Sequence, residues 1–341
     1  MKIAVVGAGA IGCVIAAKLK QCGNDVFLVG KEKHLRAIKE NGLSVNGVCG
    51  KIEQKIDISL NIDVRPDLII LAVKTQNIRE VIERNKAAFN DALVLTVQNG
   101  VMADKIAAKY IAKKNIISSI VMFGATSINE HSVMLNFDGA LVIGKPDLGD
   151  DGEVVEDDML TKVSEIMGKA FYIVKAGHIA GMKWLKLFVN ANNCIPAILG
   201  KSIQESFSDI EICYVSLAIW KEGLEIIEHA GIVLDSLPGF EKEKITNICD
   251  MPLMEGARIF QDIMKSLSSE PLYGSILQSI KKGSKTEVDY LNGAFCDLAD
   301  ELGCDAPLNK KLVELVHEVE ETNQFLSSKN FLQVIKEYVS G

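Results

Sequence analysis

The stretch Lys2-Ile3-Ala4-Val5-Val6-Gly7-Ala8-Gly9-Ala10-Ile11-Gly12 opens the chain and decides its fold. Its apolar, β-branched start reads as a short buried strand, and the apolar period over residues 13–20 reads as a helix. A strand, a G-x-G-x-x-G turn and a helix, in that order, is the context in which this glycine pattern holds a pyrophosphate. Gly7 permits the tight turn, Gly9 lets backbone approach the anion, and Gly12 lets helix and strand pack closely. The anion lies on the free N–H groups and positive dipole end of the helix, so Gly7, Ala8, Gly9, Ala10, Ile11 and Gly12 form the expected cofactor cradle.

Working outward, the second strand, residues 25–29, runs into Gly30-Lys31-Glu32-Lys33, with Arg36 beyond. An NAD-preferring site ends this strand with an acid for the ribose 2′-hydroxyl, whereas Lys31 suits a 2′-phosphate, so the expected cofactor is NADP, as NADPH. Apolar strands follow at residues 67–74 and 92–97, each succeeded by a helical pattern, which indicates a parallel sheet with ligands at the carboxyl ends of its strands. Lys74 and Asn99 stand at those ends. Residues 116–145 alternate with turns and read as a smaller antiparallel or mixed extension, and the acidic run 147–153 as a solvated loop. A helix over 155–169 and a strand over 170–175 close an α/β domain of residues 1–176. Residues 177–341 keep a helical period, with stops at Gly200, Gly231, Pro238-Gly239, Gly283 and Gly303, and read as an all-α domain.

Composition sets the bounds. Hydrophobic residues at 48% and charged residues at 24% describe a globular chain, and its length suggests two domains. The net charge of −8 offers no basic field to nucleic acid. No apolar run approaches bilayer length, so no membrane partner is expected. The cysteines form no Cys-x-x-Cys pair and no signal-peptide pattern opens the chain, which suggests reduced thiols in a cytoplasm. Histidines are scattered singly, without metal-ligand spacing. The helical half is long enough to supply a homodimer surface.

One helical stretch contradicts its own propensity. Over residues 182–196, Trp184, Leu187, Phe188, Ala191 and Ile195, with Ile198 beyond, recur at helical spacing, while Lys183, Lys186, Asn190 and Asn193 mark another stripe. Asn190, Asn192 and Asn193 are poor helix formers crowded into one turn, which a plain surface face has no reason to carry. Downstream, Ser284-x-x-Glu287 has capping-box spacing, a structural reason for Glu287 to be present.

Taken together, the chain resembles the ketopantoate reductase (2-dehydropantoate 2-reductase) family over nearly its whole length. The matching pieces are the glycine turn, Ala72-Val73-Lys74-Thr75-Gln76, Gln98-Asn99-Gly100, Trp184-Leu185-Lys186-Leu187 with Asn190, Ser275, Thr286-Glu287-Val288-Asp289-Tyr290-Leu291-Asn292-Gly293 and Ala306-Pro307-Leu308-Asn309. The resemblance implies NADPH-dependent reduction of a small-molecule 2-keto acid, with a Rossmann-type domain and a helical domain and the substrate between them. It implies Lys186 as general acid, Asn190 beside it on the substrate, Ser275 on the carboxylate and Glu287 on the distal hydroxyl. Asn99 would lie near nicotinamide or substrate, Lys31 on the 2′-phosphate and Lys74 in the cofactor cleft. Chemistry agrees, since hydride arriving at a ketone carbon builds negative charge on oxygen, which an ammonium stabilises and protonates.

The chain departs from the family at one place. The family sets a second asparagine one turn after Asn190, followed by proline, whereas here Cys194 and Ile195 precede Pro196. Asn193 is one residue early and about 100° round the helix, so either the helix shifts or the substrate pocket differs. Another 2-keto acid is therefore an alternative substrate. A non-catalytic NADP(H)-binding sensor would need none of Lys186, Asn190 or Glu287.

Overall fold

A computed structural model describes residues 1–149, 155–268 and 270–339. The chain divides into two compact units, Met1–Ala180 and Gly181–Gly341.

The first unit is α/β. Its strands are β1 Lys2–Val6, β2 Asp25–Val29, β3 Leu43–Gly47, β4 Ile52–Gln54, β5 Asp57–Ser59, β6 Leu68–Leu71, β7 Leu93–Thr96, β8 Ile116–Val121, β9 Gly124–Ser127, β10 Ser132–Phe137, β11 Leu141–Gly144 and β12 Ile173–Lys175. Its helices are α1 Ala10–Gln21, α2 Glu32–Asn41, α3 Ile78–Arg84, α4 Lys86–Phe89, α5 Ala103–Ala107 and α6 Asp157–Gly168. The main sheet has the order β12-β11-β8-β7-β6-β1-β2-β5, parallel except where β11 runs against β8. The chain crosses β1 between β2 and β6, so the sheet's topological switch point lies at the carboxyl end of β1.

Continuous apolar strands follow from burial on both faces. Ile3 and Val5 enter one core and Ala4 and Val6 the other, and Leu68 and Ile70 alternate in the same way with Ile69 and Leu71. A second sheet, β4-β3-β10-β9, lies over α1, which packs against both sheets and buries Cys13, Val14, Ile15, Ala16, Ala17 and Leu19. The expected single extension over 116–145 is thereby corrected: β8 and β11 join the main sheet, while β9 and β10 pair with β3 and β4 in a separate one. Strands of three to five residues between 43 and 59 are too short to show a period. Of the acidic run, residues 147–149 carry no regular structure and residues 150–153 lie outside the described residues.

The second unit is helical: α7 Ile179–Ala191, which begins just before it, then α8 Cys194–Leu199, α9 Ile203–Ser206, α10 Ile210–His229, α11 Glu243–Asp250, α12 Leu253–Ser266, α13 Ser275–Lys281, α14 Asn292–Leu302, α15 Pro307–Thr322 and α16 Ser328–Val339. Glycines stand at or just past the ends of α8, α10, α13 and α14, as the stop pattern predicts. The core centres on Phe295, whose ring lies 5.1 Å from Phe188 and 5.7 Å from Trp184, with Trp220 Nε1 donating to the Phe188 carbonyl at 2.8 Å. Among the described residues no helix is long and apolar enough to cross a membrane.

Candidate active site

In the first unit the predicted residues gather at the carboxyl ends of β1, β2, β6 and β7. The glycine turn is built by close backbone approach. A Cβ on Gly7, whose φ is +122°, would sit 2.5 Å from the Ala72 carbonyl oxygen, and one on Gly12 would sit 1.9 Å from the Gly7 oxygen. Gly9 differs, because a Cβ there would meet nothing within 4 Å. Two glycines are therefore fixed by protein packing, and the third fronts open space at the N-cap of α1, where no side chain caps the helix. Free N–H groups, the helix dipole and space for an approaching group fit the pyrophosphate of a dinucleotide.

Gln98 links the neighbouring strand ends. Its Nε2 donates to the Leu71 and Val73 carbonyls at 2.9 and 3.0 Å, and its Oε1 accepts from Val97 N–H at 3.1 Å. Lys74 and Asn99 thus project from two loops held together by one amide, which the sequence shows only as part of a motif. Lys31 is exposed at the N-cap of α2 and makes no ion pair among the described residues. Its neighbours are engaged: Lys33 pairs with Glu130 at 3.2 Å and Arg36 with Glu32 at 3.2 Å.

In the second unit Lys186 and Asn190 are one turn apart on α7 and both partly buried. The apolar stripe is buried as its period predicts, and Lys183 of the other stripe is buried too, at 5% exposure. Desolvation draws the Lys186 pKa down to about 8, and the Lys183 charge beside it acts in the same direction. An ammonium with that pKa is protonated at neutral pH and releases its proton readily, as a general acid requires.

The helix expected through residue 196 breaks instead at Asn192-Asn193, and Pro196 supplies the reason. Proline has no N–H to offer the Asn192 carbonyl and its ring crowds that group. Asn192 O accepts from Ile195 N at 3.3 Å, Asn193 N donates to Asn190 O at 3.0 Å, and α8 restarts with Pro196 in its first turn, where proline is tolerated. Pro196 was the available sequence signal for this break. Asn193 Nδ2 consequently lies 3.5 Å from Asn190 Oδ1, whereas Asn190 Nδ2 and both amide atoms of Asn192 are buried without hydrogen-bond partners among the described residues. Cys194 is fully buried, with burial pushing its thiol up to about 12 and the Asn292 amide as a hydrogen-bond neighbour. Asn292 in turn donates to Asn309 Oδ1 at 2.9 Å, and Glu222 receives the N–H groups of Leu308 and Asn309.

Ser275 is exposed at the start of α13, and Glu287 is partly buried before a 3-10 turn, Val288–Tyr290. The expected Ser284–Glu287 capping box is not formed, because no helix begins there. Glu320 takes the Thr286 N–H and Thr286 Oγ1 takes the Val288 N–H at 3.3 Å, which turns the chain locally. Asp289, two residues past Glu287, meets His317 Nε2 at 2.8 Å, and His317 Nδ1 lies 3.5 Å from Glu320.

Comparison with known proteins follows the same two-part layout. Residues 3–147 match the family model described as Ketopantoate reductase PanE/ApbA, and residues 178–320 match its C-terminal counterpart. A 2-dehydropantoate 2-reductase from Pyrococcus horikoshii is 30% identical over 319 residues, covering 93% of this chain and 96% of the relative. A solved ternary structure of D-mandelate dehydrogenase with NADH and anilino(oxo)acetate superposes with a TM-score of 0.80 at 26% identity, over 94% of this chain and 99% of that one. A PanE/ApbA family ketopantoate reductase from Ralstonia eutropha shares the fold with a TM-score of 0.77 at 23% identity, over 94% and 99% of the two chains.

Proposed function

We propose that this chain, which belongs to the ketopantoate reductase family and is an oxidoreductase of that type, reduces ketopantoate to pantoate with NADPH. That reaction would feed pantothenate and coenzyme A synthesis in the cytoplasm, a reducing setting that suits its eight free cysteines. The carrying observation is Lys186, whose pKa is drawn to about 8 one helical turn from Asn190.

A nicotinamide cofactor, when bound, would supply the hydride. Gly7 to Gly12 hold its pyrophosphate on the α1 N-terminus, Lys31 receives the 2′-phosphate, and Lys74 and Asn99 flank it from the loops that Gln98 joins. Lys186 stabilises the negative charge developing on the keto oxygen and delivers a proton to it. Asn190 orients the substrate, Ser275 meets its carboxylate and Glu287 its distal hydroxyl.

Following NADPH absorbance with ketopantoate and a panel of 2-keto acids tests this reading, and no oxidation with any of them would refute it. Lys186→Ala should lower kcat by roughly a hundredfold or more with cofactor affinity kept. Lys31→Ala should weaken NADPH much more than NADH, and equal losses would remove Lys31 from phosphate recognition. The likeness to D-mandelate dehydrogenase favours, as second reading, another 2-keto acid as the preferred substrate.

A further inference from the structure

We infer that Asn193, rather than the residue at 194, is the specificity-determining amide that receives the carboxylate of the 2-keto acid beside Asn190. This deepens the proposed function and rests on it. Four observations carry the assignment. Position 194 is unavailable, since Cys194 is fully buried against Asn292 inside the helical unit. The tightened turn before Pro196, in which Asn193 N–H donates to the Asn190 carbonyl, brings the two side chains into line, and Asn193 Nδ2 lies 3.5 Å from Asn190 Oδ1.

Asn190 Nδ2 is the third: a buried amide donor without a partner, a group that native proteins almost always satisfy and that an incoming oxygen would satisfy here. Gly274 is the fourth. Its φ of −64° is open to any residue, so its backbone needs no glycine. A Cβ there would instead sit 3.2 Å from Asn193 Cγ and Oδ1, and the missing side chain leaves the room that the Asn193 amide occupies, directly before Ser275. Asn190, Asn193 and Ser275 together offer N–H and O–H donors on short side chains. Neutral donors of this kind, one turn beyond the Lys186 ammonium, match an anionic carboxylate.

The test is steady-state kinetics of the full-length protein with NADPH and its best 2-keto acid. Asn193→Ala should raise KM about tenfold while kcat stays within a few-fold, the loss expected for one hydrogen bond to a charged group. Asn193→Asp keeps the shape and should raise KM at least as much for the keto acid but not for the corresponding uncharged 2-keto amide, a charge signature that a structural role would not give. Gly274→Ala should shift KM in the same direction by pushing the Asn193 side chain aside, and Cys194→Ala should leave KM unchanged. Turnover by the wild type with an unaltered KM in Asn193→Ala, or equal effects of Asn193→Asp on acid and amide, overturns the inference alone. Absence of turnover by the wild type overturns the functional reading and this inference with it.

Discussion

Gln98 donates to the Val73 carbonyl at 3.0 Å, and through that amide the loop carrying Asn99 is tied to the loop carrying Lys74. The same nitrogen reaches the Leu71 carbonyl, so one buried side chain satisfies two carbonyls beyond the regular ladder. Gln98→Leu keeps the volume but removes both bonds, leaving the Leu71 carbonyl with the longer bond from Val97 N–H at 3.3 Å. It should cost about 1–3 kcal/mol of stability and weaken cofactor binding, measured by denaturant unfolding and by titration with NADPH. Unchanged affinity would mean that the two loops hold their places without it.

The glycines of the turn separate packing from binding. Gly12→Ala forces a methyl against the Gly7 carbonyl, and thermal unfolding should show a loss of several kcal/mol or no soluble protein. Gly9→Ala meets open space at an ordinary φ of −81°, so the fold should survive with a small change in Tm while affinity for the dinucleotide falls about tenfold or more. Equal affinity in Gly9→Ala would place the pyrophosphate elsewhere.

The pH profile follows from Lys186. With Lys186 as the proposed general acid, reduction would need its charged form, so kcat/KM should be level below a pKa of about 8 and fall roughly tenfold per pH unit above it. The stability consequence has the opposite sense. Because the folded pKa lies below the unfolded value, the unfolded chain binds more protons in the interval between them, and stability gains as pH rises through it. Lys186→Met should therefore raise Tm at neutral pH while abolishing reduction, a trade expected of a site that holds a charge away from water.

His317 gives a second titration, of structure. Burial disfavours its charged form, but the hydrogen bond and charge of Asp289, followed by those of Glu320, outweigh this and raise its pKa above 6.5. A raised folded pKa contributes stability that is fully present below the unfolded value and is lost as pH rises through the folded one. The Tm difference between wild type and His317→Gln should accordingly be larger at pH 5.5 than at pH 8.5, and a pH-independent difference would show that the imidazole is held for its shape.

Most of the fold was legible because it is written in local patterns: the β1 turn, the apolar strands 68–71 and 93–96, and the glycine stops of the helical unit. The second sheet was not, since β3, β4, β9 and β10 are short and acquire their meaning only from pairing across many residues, as when Val45 meets Val133. In the candidate site, Lys186 and Asn190 stood out through helical phase. The break after Ala191 was signalled by Pro196, whose effect falls four residues upstream of itself. Glu287 drew a capping-box reading because spacing cannot reveal that Glu320, thirty-three residues on, claims the backbone beside it.

The position of α1 between two sheets has a consequence for exchange with solvent. A helix whose residues 13–17 are all buried cannot open by peeling from one neighbour, since the other sheet still covers it. Its inner amide hydrogens should exchange with deuterium only when the whole α/β unit unfolds, on the slowest timescale of the molecule. The proposed anion cradle at its N-terminus would then be ordered before any ligand arrives, and a dinucleotide bound there would incur little entropy loss from the protein.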